Sequence, residues 1–304
     1  MDLKANFPEI LLDLFKKYKI DELKNLEFTK KGVVCFADIS GFTPLSEALM
    51  QIGAEGSEIL NKILNFYYGK IIEIVKKHNG DVLSFAGDAL NIYFEKEENA
   101  TNSSVEIQNF FKEKEKIETP IGSFPISIKI GIAKGCLKFY ILMEEGFINP
   151  VFEGEPINKA AEAEHHSKAG EIVIFKDNSF FKIKEKTKNV DFVEKNSKLK
   201  EIDNNILLDF LHPFFKDAFL KNQTKYLNEH RKCVIIFINL WGGKLREIYK
   251  NTAMILKKYN GYFLKVDCGD KGDKFLILFG APFQLENPLH SSYDFLLEFK
   301  ELQK

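Results

Sequence analysis

At 304 residues, with 45% hydrophobic and 13% aromatic, the chain can fill two ordinary cores and does not have the composition of a disordered protein. Its 43 Lys+Arg against 44 Asp+Glu leave a formal net charge of −1, which argues against a broad electrostatic grip on nucleic acid or anionic lipid. No apolar run approaches the roughly 18–20 residues that span a bilayer, and the start lacks a signal-peptide pattern. Cys35, Cys136, Cys233 and Cys268 have the spacing of neither a zinc site nor a disulfide framework. These features predict a soluble, cytoplasmic α/β protein with reduced thiols.

Apolar residues at Ile10, Leu11, Leu14, Phe15 and Ile20 predict an amphipathic helical segment over 7–26. The run Val33-Val34-Cys35-Phe36-Ala37 predicts a buried strand, which ends in Asp38-Ile39-Ser40-Gly41-Phe42-Thr43-Pro44, a turn into a helix. From Ser57 to His78 apolar residues recur every three or four positions, the pattern of a long helix, which Asn79-Gly80 stops. Strands over 81–85 and 89–94 follow, joined by the tight turn Ala86-Gly87-Asp88. A polar helix over 99–114 is expected next, then strands over 126–133 and 139–143, a helix over 156–168 and a strand over 171–175. Residues 182–204, rich in Lys, Glu and Asn, read as a boundary, and 206–229 as a helical connector.

The pattern then begins again. Cys233 to Asn239 resembles the first strand, with Asn239 in the place of Asp38. A helix ending Lys257-Lys258-Tyr259-Asn260-Gly261 echoes Lys76-Lys77-His78-Asn79-Gly80, and the strand pair 262–266 and 274–279 echoes the earlier one. A repeat of this length means two related lobes, not a solenoid. After a helix over 288–302 nothing corresponds to the first lobe's residues 126–175. The expected division is therefore an N-terminal helical segment (1–30), a first lobe (31–200), a helical linker (201–230) and a partial second lobe (231–304).

Asp38, at a strand end, and Asp88, in a hairpin turn, can converge at one end of the sheet. Paired carboxylates with few other ligands suit Mg²⁺, whose shell substrate phosphates and water complete. The loop after Asp38 opens a helix whose free N–H groups favour an anion such as a triphosphate. An Asp at a strand end is more often a cap or turn residue, so spacing alone leaves both readings open. His165-His166 has the wrong spacing for two ligands on one helical face, and Asp267, Asp270 and Asp273 lack the final Glu of a calcium loop.

Phe36-Ala37-Asp38-Ile39-Ser40-Gly41-Phe42-Thr43 resembles the F-x-D-I-x-G-F-T signature of class III nucleotidyl cyclases, and Phe85-Ala86-Gly87-Asp88-Ala89 resembles their second metal motif. With the motifs in order, two tandem lobes and an amphipathic N-terminal segment, the chain is most similar to the soluble, bicarbonate-responsive adenylyl cyclase group. That resemblance implies an α/β (α+β) fold of tandem ferredoxin-like β-α-β-β-α-β lobes. It implies intramolecular lobe pairing, or pairing with a partner cyclase lobe. It also implies conversion of ATP to cyclic AMP and pyrophosphate with two Mg²⁺ or Mn²⁺ ions. Asp38, Asp88 and the Ile39 carbonyl would hold the ions. Gly41, Phe42 and Thr43 would cradle the phosphates, and Lys265 would select adenine through its N1 acceptor.

The chain departs from the family in three places. The later half of the second lobe, with its N-x-x-x-R pair, is missing. The equivalent first-lobe segment keeps Asn158 but has Glu162 in the arginine's place. These two departures support an alternative, a catalytically deficient nucleotide-binding or regulatory module that needs a partner. The third is that Ser84 and Ala161 stand where the bicarbonate-responsive group has a lysine and an arginine. Without those cations an anion has little electrostatic reason to bind. A bicarbonate series at fixed pH is expected to leave activity flat, and a several-fold rise would overturn that expectation.

Overall fold

The computed structural model describes residues 3–183, 202–223, 232–242, 244–269 and 272–302. Parts of the expected boundary and connector, and Asp270 of the aspartate-rich loop, lie outside these residues. The chain divides into two compact units, residues 29–137 with 154–198, and residues 1–28 with 138–153 and 199–304.

The first of these units is built on β1 (Glu27–Ser40), α3 (Phe42–Met50), α4 (Ala54–Lys77), β2 (Gly80–Ala86), β3 (Ala89–Phe94) and α5 (Glu97–Glu113). A small hairpin follows, β4 (Lys116–Thr119) with β5 (Gly122–Pro125). The unit then takes residues 127–137 of β6 (Ser127–Glu144), whose later residues belong to the other unit, and ends with α6 (Glu155–His165), β8 (Ile172–Lys176) and β9 (Ser179–Lys182). Its sheet runs β2-β3-β1-β6-β8-β9, an α+β arrangement as expected. Alternation on β1 sends Val33, Cys35, Ala37 and Ile39 into the core shared with α4 and α5, which leaves Asp38 on the opposite face. On β6, Ile128, Ile130 and Ile132 enter the same core, so Lys129 also points away from it.

Two expected strands, 126–133 and 139–143, are one 18-residue strand, β6, because Gly135 and Cys136 are accommodated within the extended ladder and do not break it. The sequence reading also missed β7 (Phe147–Glu153), which pairs antiparallel with residues 138–144 of β6, and the β4–β5 hairpin. Gly131 on β6 faces α6 at close range: a Cβ there would lie 2.0 Å from the Ala160 carbonyl oxygen and 2.3 Å from the Glu164 nitrogen.

The other unit contains α1 (Glu9–Lys17), α2 (Ile20–Leu23), β7, α7 (Asn204–Leu208) and α8 (Pro213–Leu220). Two single helices expected from the sequence are each broken. The N-terminal one stops at Tyr18, and the connector divides before Pro213, which begins α8 with His212 as its N-cap. The repeat follows as β10 (Val234–Leu240), α9 (Leu245–Lys258), β11 (Tyr262–Asp267), β12 (Asp273–Phe279) and α10 (Pro288–Glu301), with strand order β10-β12-β11. Tyr249, Phe263, Phe275, Phe279 and Phe295 are buried in its core, each contributing about 2–3 kcal/mol of hydrophobic stabilisation. The buried Tyr249 hydroxyl donates to Asn149 Oδ1 at 2.8 Å.

Gly131→Ala is expected to destabilise the chain by about 2–3 kcal/mol, since backbone and not a flexible side chain must move. Urea unfolding followed by circular dichroism measures it, and an unchanged midpoint would refute the close contact.

Candidate active site

The antiparallel register of β1 and β3 sets Asp38 opposite Ala89. Asp88 immediately precedes Ala89, in the two-residue turn between Ala86 and Ala89 that joins β2 to β3. The structure thus brings the two expected carboxylates into each other's field. Burial, followed by the negative charge of Asp38, raises the pKa of Asp88. Its own backbone N–H and the Lys129 ammonium act in the opposite direction. The Tyr68 hydroxyl donates to the Asp88 carbonyl at 3.2 Å. Burial, with both carboxylates adding repulsion, pushes that phenol up to about 12, so it stays a donor at neutral pH.

Ile39 is buried in the core, with its backbone at the end of β1. Gly41 is the N-cap of α3 at φ 107°, and a Cβ on it would meet the Pro125 carbonyl oxygen at 2.3 Å, so no other residue fits there. No side chain caps this helix start, where Phe42 and Thr43 follow. Phe42 is buried against Tyr67 and Tyr68, and Phe85 packs edge-on against Tyr68. One aromatic group therefore supports both the α3 start and the Asp88 turn.

Lys265 lies on β11, in the other unit, 2.5 Å from Asp267 Oδ1. Glu162 lies on the surface of α6, 2.7 Å from the Lys159 ammonium.

Sequence reasoning missed Lys129 and Glu164. Lys129 Nζ is 3.3 Å from Asp38 Oδ2 and hydrogen-bonds Glu164 Oε1, whose side chain is 2% exposed. These carboxylates outweigh desolvation and raise the lysine's pKa, so it is an ammonium at neutral pH. Both were findable. Lys129 alternates with three isoleucines, and Glu164 falls in helical register with Ile157 and Ala160.

No group of three or more His, Cys, Asp or Glu side chains suited to a metal occurs among the described residues. Two carboxylates with raised repulsion, an adjacent carbonyl and an uncapped helix start nonetheless match an oxygen-seeking divalent cation completed by phosphate. Lys129 is the cation it would compete with. No helix among the described residues is long and apolar enough to cross a membrane.

The Asp38 carboxylate thus lies at the end of β1 and that of Asp88 in the neighbouring turn, beside a glycine-led helix start. No family model matches the chain. It is 26% identical to adenylate cyclase type 10 of Oryctolagus cuniculus over 86% of its length and 24% identical to that of Homo sapiens over 83%. The aligned regions are 20% and 19% of those proteins, so the chain spans about a fifth of the length of the curated relatives it matches. Among solved structures it is similar to the adenylyl cyclase CyaB from P. aeruginosa (26% identity, TM-score 0.41, 49% of this chain and 78% of that one). A second is the guanylyl cyclase Cya2 (23% identity, TM-score 0.40, 48% and 75%).

Because the Asp88 pKa is raised in the folded state, its ionisation costs stability that is absent below the ordinary value of 3.8 and develops as pH rises through the shifted one. Asp88→Asn should therefore raise the melting temperature of the metal-free chain at pH 7, with a difference that shrinks toward pH 4. Differential scanning calorimetry across that range checks it. An Asn variant that melts lower at pH 7 would contradict the assignment.

Proposed function

We propose that this chain is an adenylyl cyclase, forming cyclic AMP and pyrophosphate from ATP in the cytoplasm. The observation that carries the reading is the Asp38–Asp88 pair, two carboxylates in one another's field beside the α3 start. In this reading Asp38, Asp88 and the Ile39 carbonyl hold two Mg²⁺ or Mn²⁺ ions. Bound there, such ions supply Lewis acidity, which favours the ribose 3′-oxyanion and offsets charge on the phosphates. The N–H groups of Gly41, Phe42 and Thr43 orient the β- and γ-phosphates at the positive end of α3. Tyr68, kept protonated, holds the Asp88 backbone in place without adding charge.

Lys265 is the proposed base-selecting residue, since an ammonium can donate to adenine N1, whereas guanine N1 carries a hydrogen. The reading treats 31–200 and 231–304 as two lobes of one repeat and requires a second lobe opposite the first, from this chain or a partner. The similarity to adenylate cyclase type 10 supports ATP as the substrate.

One observation favours a second reading. Glu162, paired with Lys159, stands where the resemblance calls for an arginine. A carboxylate cannot stabilise charge developing on phosphate, and loss of such a donor costs on the order of 10²–10³ in rate. The chain would then bind nucleotide and pair with a complete lobe without turnover of its own.

Cyclase assays with ATP and GTP in parallel, in Mg²⁺ and in Mn²⁺, separate the two readings. Turnover of ATP by the chain, falling by about 10²-fold or more in Asp38→Ala and Asp88→Ala, is expected for the first. Nucleotide binding without turnover in either metal establishes the second. Lys265→Ala should narrow the preference for ATP over GTP, and an unchanged preference would remove Lys265 from base selection.

A further inference from the structure

Lys129 has two carboxylate neighbours, of which only Asp38 is a proposed metal ligand. Their surroundings differ. The Asp38 side chain is 25% exposed, whereas that of Glu164 is 2% exposed and rides on α6 where the helix backbone lies against Gly131 of β6. Glu164 therefore has little room to move and little water to solvate it. A carboxylate so placed needs a permanent counter-charge, and removing that partner is costly. Its other basic neighbour, His165, has Nδ1 3.3 Å away on a side chain that is mostly exposed. Lys129 is accordingly the counter-ion that Glu164 keeps, and Asp38 is the partner that can be exchanged.

Resting on the cyclase reading of the Asp38–Asp88 pair, we propose that Glu164 is a positioning residue that retains the Lys129 ammonium when a divalent cation takes Asp38, and so sets the cation affinity of the site. The charge count supports this. Without a metal, the carboxylates of Asp38, Asp88 and Glu164 face one ammonium. A divalent cation arriving at Asp38 releases Lys129 from that contact, yet the ammonium remains answered by Glu164. With an uncharged amide at position 164, Asp38 becomes the sole strong counter-ion of a part-buried ammonium, and any metal must displace it. The short reach between α6 and β6, fixed by Gly131, is what keeps Glu164 within hydrogen-bonding distance of Lys129 in either state.

The test is Mn²⁺ binding to the nucleotide-free chain, followed by electron paramagnetic resonance of free Mn²⁺, a readout independent of turnover. Glu164→Gln, which preserves shape, is expected to weaken Mn²⁺ binding by about tenfold. Lys129→Met removes the competitor, and the double variant should match Lys129→Met within about twofold. Equal affinity in wild type and Glu164→Gln would overturn the inference. So would a double variant as weak as Glu164→Gln, which would show that Glu164 acts through the packing of α6 and not through Lys129. Should Glu164→Gln not fold by far-ultraviolet circular dichroism, the comparison of Lys129→Met with the double variant decides, a weaker double variant being the contrary result. Wild-type binding that Asp38→Asn leaves intact would refute the metal-site reading itself and take this inference with it. Indifference to Glu164→Gln refutes the inference alone.

Discussion

Two like charges held at neighbouring positions of an antiparallel pair of strands are the constraint from which the rest of the first unit follows. Asp38 and Asp88 repel, and backbone hydrogen bonds, not side-chain attraction, keep them together. The register that does so is set by the core. Val33, Cys35, Ala37 and Ile39 fill one face of β1, so a slip of one residue would turn Asp38 into that core and all four out of it. The repulsion is thus borne by apolar packing elsewhere in the unit.

A second layer of charge keeps that repulsion finite. Lys129 supplies a positive charge from the same face of the sheet, and Glu164 keeps the lysine from being held by Asp38 alone. The arrangement is graded by burial. The most buried carboxylate, Glu164, is hydrogen-bonded to Lys129, and the two others are more accessible. Tyr68 adds a neutral donor at the turn, where another cation would have quenched the pair.

Most of this architecture was legible in the sequence, and the misses have physical causes. Periodicity located α4 and the β2–β3 hairpin to within a few residues, because a long amphipathic helix and a Gly-Asp turn between apolar runs are strong local signals. The unbroken β6 was not legible, since Gly135 carries the signature of a turn and only its neighbours in the sheet make it a strand residue. The connector read as one helix because its aromatics have helical spacing, which the stop before Pro213 overrides. At the site, residues standing in a motif were found, whereas Lys129 and Glu164 stand in none. Local periodicity marks them as charges beside apolar positions, but their pairing is a contact across 35 positions of chain, which no local pattern encodes.

The internal repeat shows how the same backbone can carry the site once and omit it once. In the first unit Val33 pairs with Phe94 and Asp38 with Ala89. In the second, Val234 pairs with Phe279 and Asn239 with Lys274, the same register five positions along. Asp273, preceding Lys274, therefore occupies the position of Asp88, and Asn239 that of Asp38. One carboxylate has become an amide and a cation has been added beside it. The pair whose repulsion would favour a divalent cation is gone, while the β10–β12 ladder and the aromatic core behind it are intact. Fold and charge have thus been separated within one chain. The ladder is specified by alternating apolar residues, which both copies keep. The pair of carboxylates at the ladder's end is specified by two side chains, which only the first copy has. In the second unit that ladder end presents Asn239 and Lys274, an amide and an ammonium in place of an acidic pair.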